Sequence, residues 1–204
     1  MHTILSRKGI HSVRDSFSEK KLKAMGIKNV LNTGCPTMWD LTPEHCAAIP
    51  REKASNVICT LTDYCRDEAN DRAMLDILLE SYGKVWFWLQ GRDALAYIRE
   101  LGYEGKLELV DSSLEAYDAV LALKDLDYVG TRLHAGIRAL RKGCRSLIIS
   151  IDNRAACISA DTGLPIIRRE DVPVALADRL YGKIKVEITL PWANIQKFKT
   201  QFEK

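Results

Sequence analysis

The chain has 204 residues, 47% of them hydrophobic and 28% charged, which is the make-up of one well-cored globular domain. A formal net charge of +3 is too small to argue for nucleic acid or an anionic membrane as partner. No apolar run approaches the roughly 18 residues of a spanning helix, and nothing near the start reads as a secretion leader, so a soluble cytoplasmic protein with reduced thiols is expected. The six cysteines, at positions 35, 46, 59, 65, 144 and 157, form no Cys-x-x-Cys pair, and no paired histidine motif completes a zinc site. Neither a metal nor a cofactor is expected.

Strand-like runs alternate with helical patterns almost from end to end. Residues 18–25 predict a short helix stopped at Gly26, followed by a strand at 28–32. A strand at 56–61 precedes a helix at 67–82 that ends at Gly83. The run 84–89 is a strand, 93–101 a helix, 106–110 a strand, and Ser112-Ser113 open a helix to about 124. A strand ending near Gly130 leads into a helix with Leu133, Ile137 and Leu140 on its buried face. Residues 145–151 are the clearest buried strand, 164–167 a short one, and 171–180 a helix with Pro173 near its start. Pro191 opens a last helix carrying Trp192, Ile195, Phe198 and Phe202. Strands separated by helices imply right-handed crossovers and a parallel sheet covered on both faces, a doubly wound Rossmann-like α/β fold. With no linker or repeat, one domain over 1–204 is expected.

Ligands of such sheets bind outside the carboxyl ends of the strands. The polar segments there are Thr33-Gly-Cys-Pro-Thr37, Thr62-Asp-Tyr64, Gln90-Gly91, Asp111-Ser112, Arg132 with His134, and Asp152-Asn-Arg154. Solvated loops are polar in any case, but together these residues would line one edge. Asp63, Gln90, Asp152 and Arg154 are therefore secondary candidates. No Gly-x-Gly-x-x-Gly or Walker A motif is present, which disfavours a standard dinucleotide or P-loop site.

Arg132 and His134 carry the chemistry best. Thr131 is placed to cap the helix, which sets both side chains in its first turn, where free N–H groups and the dipole favour an anion. A guanidinium at a positive helix end needs an answering charge, either a ligand or a carboxylate such as Asp127 or Asp152. An imidazole there can supply a proton to an anionic substrate. Arg14, just ahead of the first predicted helix, is a further cation, with Asp15 its competing local partner. Arg138 and Arg141 read as a solvated face without a role. Trp86, Phe87, Trp88 and Trp192 read as packing residues, and Trp39 as a loop aromatic that is either buried or able to stack on a sugar.

The ordered set Ser12-Val-Arg-Asp-Ser16, Asn32-Thr-Gly-Cys-Pro-Thr37, Thr62-Asp-Tyr64, Gln90-Gly91 and Gly130-Thr-Arg-Leu-His-Ala-Gly136 resembles the polysaccharide pyruvyl transferase family. The resemblance implies transfer of a pyruvyl group from phosphoenolpyruvate to a polysaccharide or lipid-linked sugar, giving a pyruvate ketal in exopolysaccharide or cell-envelope synthesis. It implies donor binding at Arg14, Arg132, Leu133 and His134, with His134 and Arg132 catalytic. It also implies that the chain corresponds to the C-terminal half of a GT-B fold, with a homo-oligomer or a partner carrying the other half. Two alternatives stay open: half of a nucleotide-sugar glycosyltransferase, and a non-catalytic fragment that needs a partner domain.

Overall fold

The computed structural model describes residues 8–203, so the extreme ends of the expected 1–204 domain lie outside it. Six strands form one all-parallel sheet: β3 (Asn56–Thr60), β4 (Lys84–Trp88), β5 (Glu108–Val110), β6 (Leu126–Gly130), β7 (Arg145–Ser150) and β8 (Ile166–Arg168). Their order is β5-β4-β3-β6-β7-β8. The chain starts in the middle at β3, winds outward to β5, returns to lay β6 beside β3, and winds outward again. That reversal makes the β3–β6 junction a topological switch point, where open α/β sheets hold their ligands.

Side chains alternate across the sheet, as the twofold period of a strand requires. Val57, Cys59, Phe87, Val129, Leu147 and Ile149 pack beneath α3 (Glu68–Ser81), α4 (Ala94–Glu100) and α8 (Val172–Tyr181). Ile58, Trp88, Tyr128 and Ile148 pack on the other face against α5 (Leu114–Leu121), α6 (Leu133–Arg141) and α7 (Asn153–Thr162). Two cores on one parallel sheet make the doubly wound, Rossmann-like fold. Close approach explains two glycines around α6. A Cβ on Gly136 would run into the side chains of Ile148 and Tyr128, and one on Gly130 into the backbone of Thr60. Helix and strands could not come this close with larger residues.

The strand expected at 28–32 does not join the main sheet. Its residues Val30–Asn32 (β2) pair in parallel with His11–Val13 (β1) as a separate two-stranded sheet, linked by α1 (Ser16–Ala24). The helix α9 (Trp192–Thr200) closes over it, with Asn194 Nδ2 donating to Asn32 O at 2.9 Å. Periodicity shows that a segment is a strand but not which strand it pairs with, so this partition was not readable. Between the units runs α2 (Pro43–Ala48), capped by Thr42. The path back to α9 is extended, with Ile184, Val186, Ile188 and Leu190 buried at every second residue. It is strand-like in pattern yet pairs with no strand among the described residues.

Two buried ion pairs tie the layers together. Arg145 on β7 donates through Nη2 to Asp127 on β6 at 2.5 Å and to Leu180 O at 3.0 Å, joining the sheet to the end of α8. Arg169 bonds both carboxylate oxygens of Asp71 on α3 at 2.9 and 3.1 Å.

Candidate functional site

The loops after β3 and β6 are joined at the switch point by two buried threonines, Thr62 Oγ1 and Thr131 Oγ1 standing 2.9 Å apart. Thr131 is thereby turned inward and does not cap α6. The N-cap is Arg132, whose side chain makes no cap bond, so the first turn is left without the expected hydroxyl acceptor.

The Arg132 side chain reaches across the junction instead. Its Nε donates to Leu61 O at 3.2 Å and its Nη2 to Asp63 Oδ1 at 2.5 Å. The guanidinium is answered by a carboxylate, as its position demands, but by Asp63 rather than by Asp127 or Asp152. Asp63 is held from the other side by the backbone N–H of Asp93, 3.0 Å from Oδ2. Gly91 passes directly over the pair, and a Cβ there would land on Asp63 Oδ2 and Arg132 Nη2.

The guanidinium also lies 5.2 Å above the centre of the Tyr64 ring. The Tyr64 hydroxyl accepts from Arg154 Nη2 at 3.0 Å, and Arg154 is in turn bonded through Nε to Asp152 Oδ2 at 2.7 Å. Asp152 caps α7 by accepting from Arg154 N. Burial raises the Asp152 pKa, but the bonds from Arg154 and the nearby charges of Arg154 and Arg14 leave it below the ordinary value. Arg14 itself donates to Asp15 Oδ2 at 2.9 Å, its nearest competing partner, and is linked to the edge through its field at Asp152. Asp15 is buried and caps α1 by accepting from Ser18 N at 2.7 Å. Ser16 donates its hydroxyl to Asp161 at 2.7 Å.

His134 faces the other side of the α6 start. Its Nε2 is 3.6 Å from Cys35 Sγ, and that sulfur is 3.1 Å from Thr37 Oγ1. Burial pushes the Cys35 thiol up, yet the hydrogen bonds with His134 and Thr37 prevail and hold its pKa below the ordinary thiol value. His134 and Gln90 share a cleft of about 150 Å³ with Thr37, Trp88, Leu114, Ala135, Arg138 and Arg141. Arg138 is bonded to Asp118 by both Nε and Nη2, at 2.6 and 2.7 Å, and Arg141 is paired with Asp40. Both were expected on a roleless face, and both stand in the wall of this cleft. Leu133 is half-buried against the core. Asp152 also borders a wider cleft of about 510 Å³ with Asn70, Asn153 and Arg169.

The structure thus gathers Arg132, Asp63, Tyr64, Arg154 and Asp152 into one chain of contacts, and His134 with Gln90 into the adjoining cleft. Asp111 and Ser112, at the end of the edge strand β5, are exposed and bond to each other. Tyr64 and Cys35 were missed as site residues. The signal for Tyr64 was its place in the first loop beyond the central strand. For Cys35 there was only its place in a polar loop. Among the described residues no group of three or more metal-ligating side chains is gathered, and no helix is long and apolar enough to cross a membrane.

No curated protein matches the chain in a sequence comparison. The model of the polysaccharide pyruvyl transferase family matches residues 1–153, the stretch that holds β1 through β7 together with Arg132, Asp63, Tyr64, Asp152, His134 and Gln90; Arg154 lies just beyond it. The chain belongs to the polysaccharide pyruvyl transferase family.

Proposed function

We propose that the chain transfers a pyruvyl group from phosphoenolpyruvate to two hydroxyls of a polysaccharide or lipid-linked sugar, forming a ketal. The observation that carries this reading is the divergence of Arg132 and His134 from one uncapped helix start at the switch point, one toward a carboxylate-held edge and one into a cleft. With Nε on Leu61 and Nη2 on Asp63, Nη1 is the edge of the guanidinium that a ligand would meet. Such a planar donor, next to free helix N–H groups, suits a phosphate.

The chemistry needs a proton at the methylene carbon of phosphoenolpyruvate. His134 supplies it, and the bonding pair of the double bond forms the new C–H bond. The adjoining carbon becomes cationic, and a sugar hydroxyl adds to it. The bond to the phosphate oxygen then breaks, phosphate leaving toward Arg132, and the second hydroxyl closes the ketal. One hydroxyl proton returns to His134 and the other leaves with phosphate. Asp63 holds Arg132 in place, and Arg14, Arg154 and Asp152 extend the charged edge toward the acceptor. Leu133 packs the helix start against the core and fixes the directions of its two neighbours. The same reading places the reaction in the cytoplasm, in exopolysaccharide or cell-envelope synthesis, with an oligomer or a partner domain completing the acceptor site.

The test is acceptor-dependent release of phosphate from phosphoenolpyruvate, with the ketal followed by NMR. His134→Gln is expected to retain donor binding and to lose turnover by roughly 10²-fold or more, the usual contribution of a positioned acid. Full turnover in that variant would remove His134 from the mechanism.

A further inference from the structure

Aromatic residues with a polar atom find a partner for it when buried. In this protein Tyr117 OH donates to Ala135 O, Tyr128 OH to Arg132 O, and Trp39 Nε1 to Thr33 O, each at 2.9 Å. Trp88 breaks the rule. It is only 3% exposed, its ring stacks on Tyr117 at 4.0 Å and 9°, and its indole N–H has no acceptor among the described residues. A buried donor without an acceptor is destabilising, and such groups call for a specific explanation.

Trp88 ends strand β4 and stands in the wall of the cleft that holds His134, Gln90 and Thr37. An indole nitrogen only donates, so whatever satisfies it must bring an acceptor oxygen. The neighbouring groups favour the same kind of ligand: the Gln90 amide donates and the imidazole can donate, while Arg138 and Arg141 are already paired with Asp118 and Asp40. Size narrows the choice. The cleft's volume of about 150 Å³ gives room for a three-carbon acid.

We infer that this cleft is a subsite for a small carboxylate and that the Trp88 indole N–H donates to one of its oxygens, with Gln90 and His134 alongside. The inference deepens the pyruvyl-transfer reading and rests on it for the identity of the acid. It divides the substrate between the two sides of the α6 start, with the carboxylate in the cleft and the phosphate on Arg132. The methylene carbon then lies on the His134 side.

The test is a titration of the full chain, with ¹⁵N-labelled tryptophan, using pyruvate, phosphoenolpyruvate and inorganic phosphate in turn. Pyruvate and phosphoenolpyruvate are expected to move the Trp88 indole N–H signal downfield, and phosphate alone to leave it in place. Trp88→Phe keeps the stacked ring and removes the donor; it should weaken pyruvate binding roughly tenfold, the value of one hydrogen bond to a charged group. If that variant does not fold, the response of the native signal decides, and Gln90→Leu on the loop should weaken pyruvate in the same direction. An unmoved Trp88 signal at saturating phosphoenolpyruvate, or no binding of either acid, overturns the inference. Phosphoenolpyruvate turnover with an unmoved Trp88 signal would remove the carboxylate subsite and leave pyruvyl transfer standing. A shift with pyruvate in a chain that turns over no phosphoenolpyruvate would keep the subsite and remove the transfer reaction.

Discussion

Cys35 and His134 are 99 residues apart in sequence and 3.6 Å apart in space. Removing the imidazole leaves burial as the dominant influence on the thiol, so its pKa must rise. The thiolate absorbance near 240 nm that disappears in Cys35→Ser is therefore expected to titrate below the ordinary thiol range in the native chain, and at higher pH in His134→Ala than in the native chain. A native titration at or above the ordinary value would contradict the pairing. Asp15 offers a stability test at the same scale. It caps α1 and holds Arg14, so Asp15→Ala should lose about 1–2 kcal/mol in urea unfolding. A variant as stable as the native chain would show that the cap contributes nothing. Residue types at strand ends made Arg132 and His134 legible in the sequence. Their partners were not, because Asp63 and Cys35 meet them only through the order in which strands assemble. Trp88 was readable as a packing residue, but no sequence pattern shows that its N–H lacks an acceptor.

Helix α6 is the element on which the site depends, and Gly136 sets its distance from the sheet. Alanine would gain about 1 kcal/mol in helix propensity, against about 1–3 kcal/mol for forcing a methyl into a filled space. The contacts with Ile148 and Tyr128 are close enough that the second effect prevails. Gly136→Ala should therefore lower the urea midpoint, and a raised midpoint would show that the helix can lift away freely. The helix itself was readable from Leu133, Ile137 and Leu140, whereas its start was not. Thr131 is a good cap by type, yet the buried bond to Thr62 takes its hydroxyl and leaves Arg132 in the cap position. Helices α2 and α7 were also not foreseen. The first is too short to show a period, and the second opens with a run of small residues, Ala155, Ala156 and Cys157, that carries little amphipathic signal.

At the scale of the molecule, the alternation of strands and helices was enough to read a doubly wound parallel sheet. The separate β1–β2 sheet was not legible, because strand pairing is decided by tertiary packing. Several carboxylates titrate below their ordinary values in the folded chain. For Asp118 the cause is its bond to Arg138; for Asp15 and Asp152 hydrogen bonds from their neighbours outweigh burial. A depressed folded pKa contributes stability that is complete above the unfolded value near 3.9 and is lost as pH falls through the folded one. The thermal midpoint should therefore be steady as regards these groups above about pH 5 and decline below about pH 4. A midpoint unchanged down to pH 2 would contradict those pairings. The proposed phosphoenolpyruvate site is the start of α6, with Arg132 at its cap. Calorimetric titration of the native chain and of Arg132→Ala tests it most directly. Binding to the native chain that weakens about tenfold or more in the variant is predicted, from the loss of charge-assisted hydrogen bonds. No heat of binding to the native chain at millimolar phosphoenolpyruvate, or equal affinity in the two proteins, would contradict it.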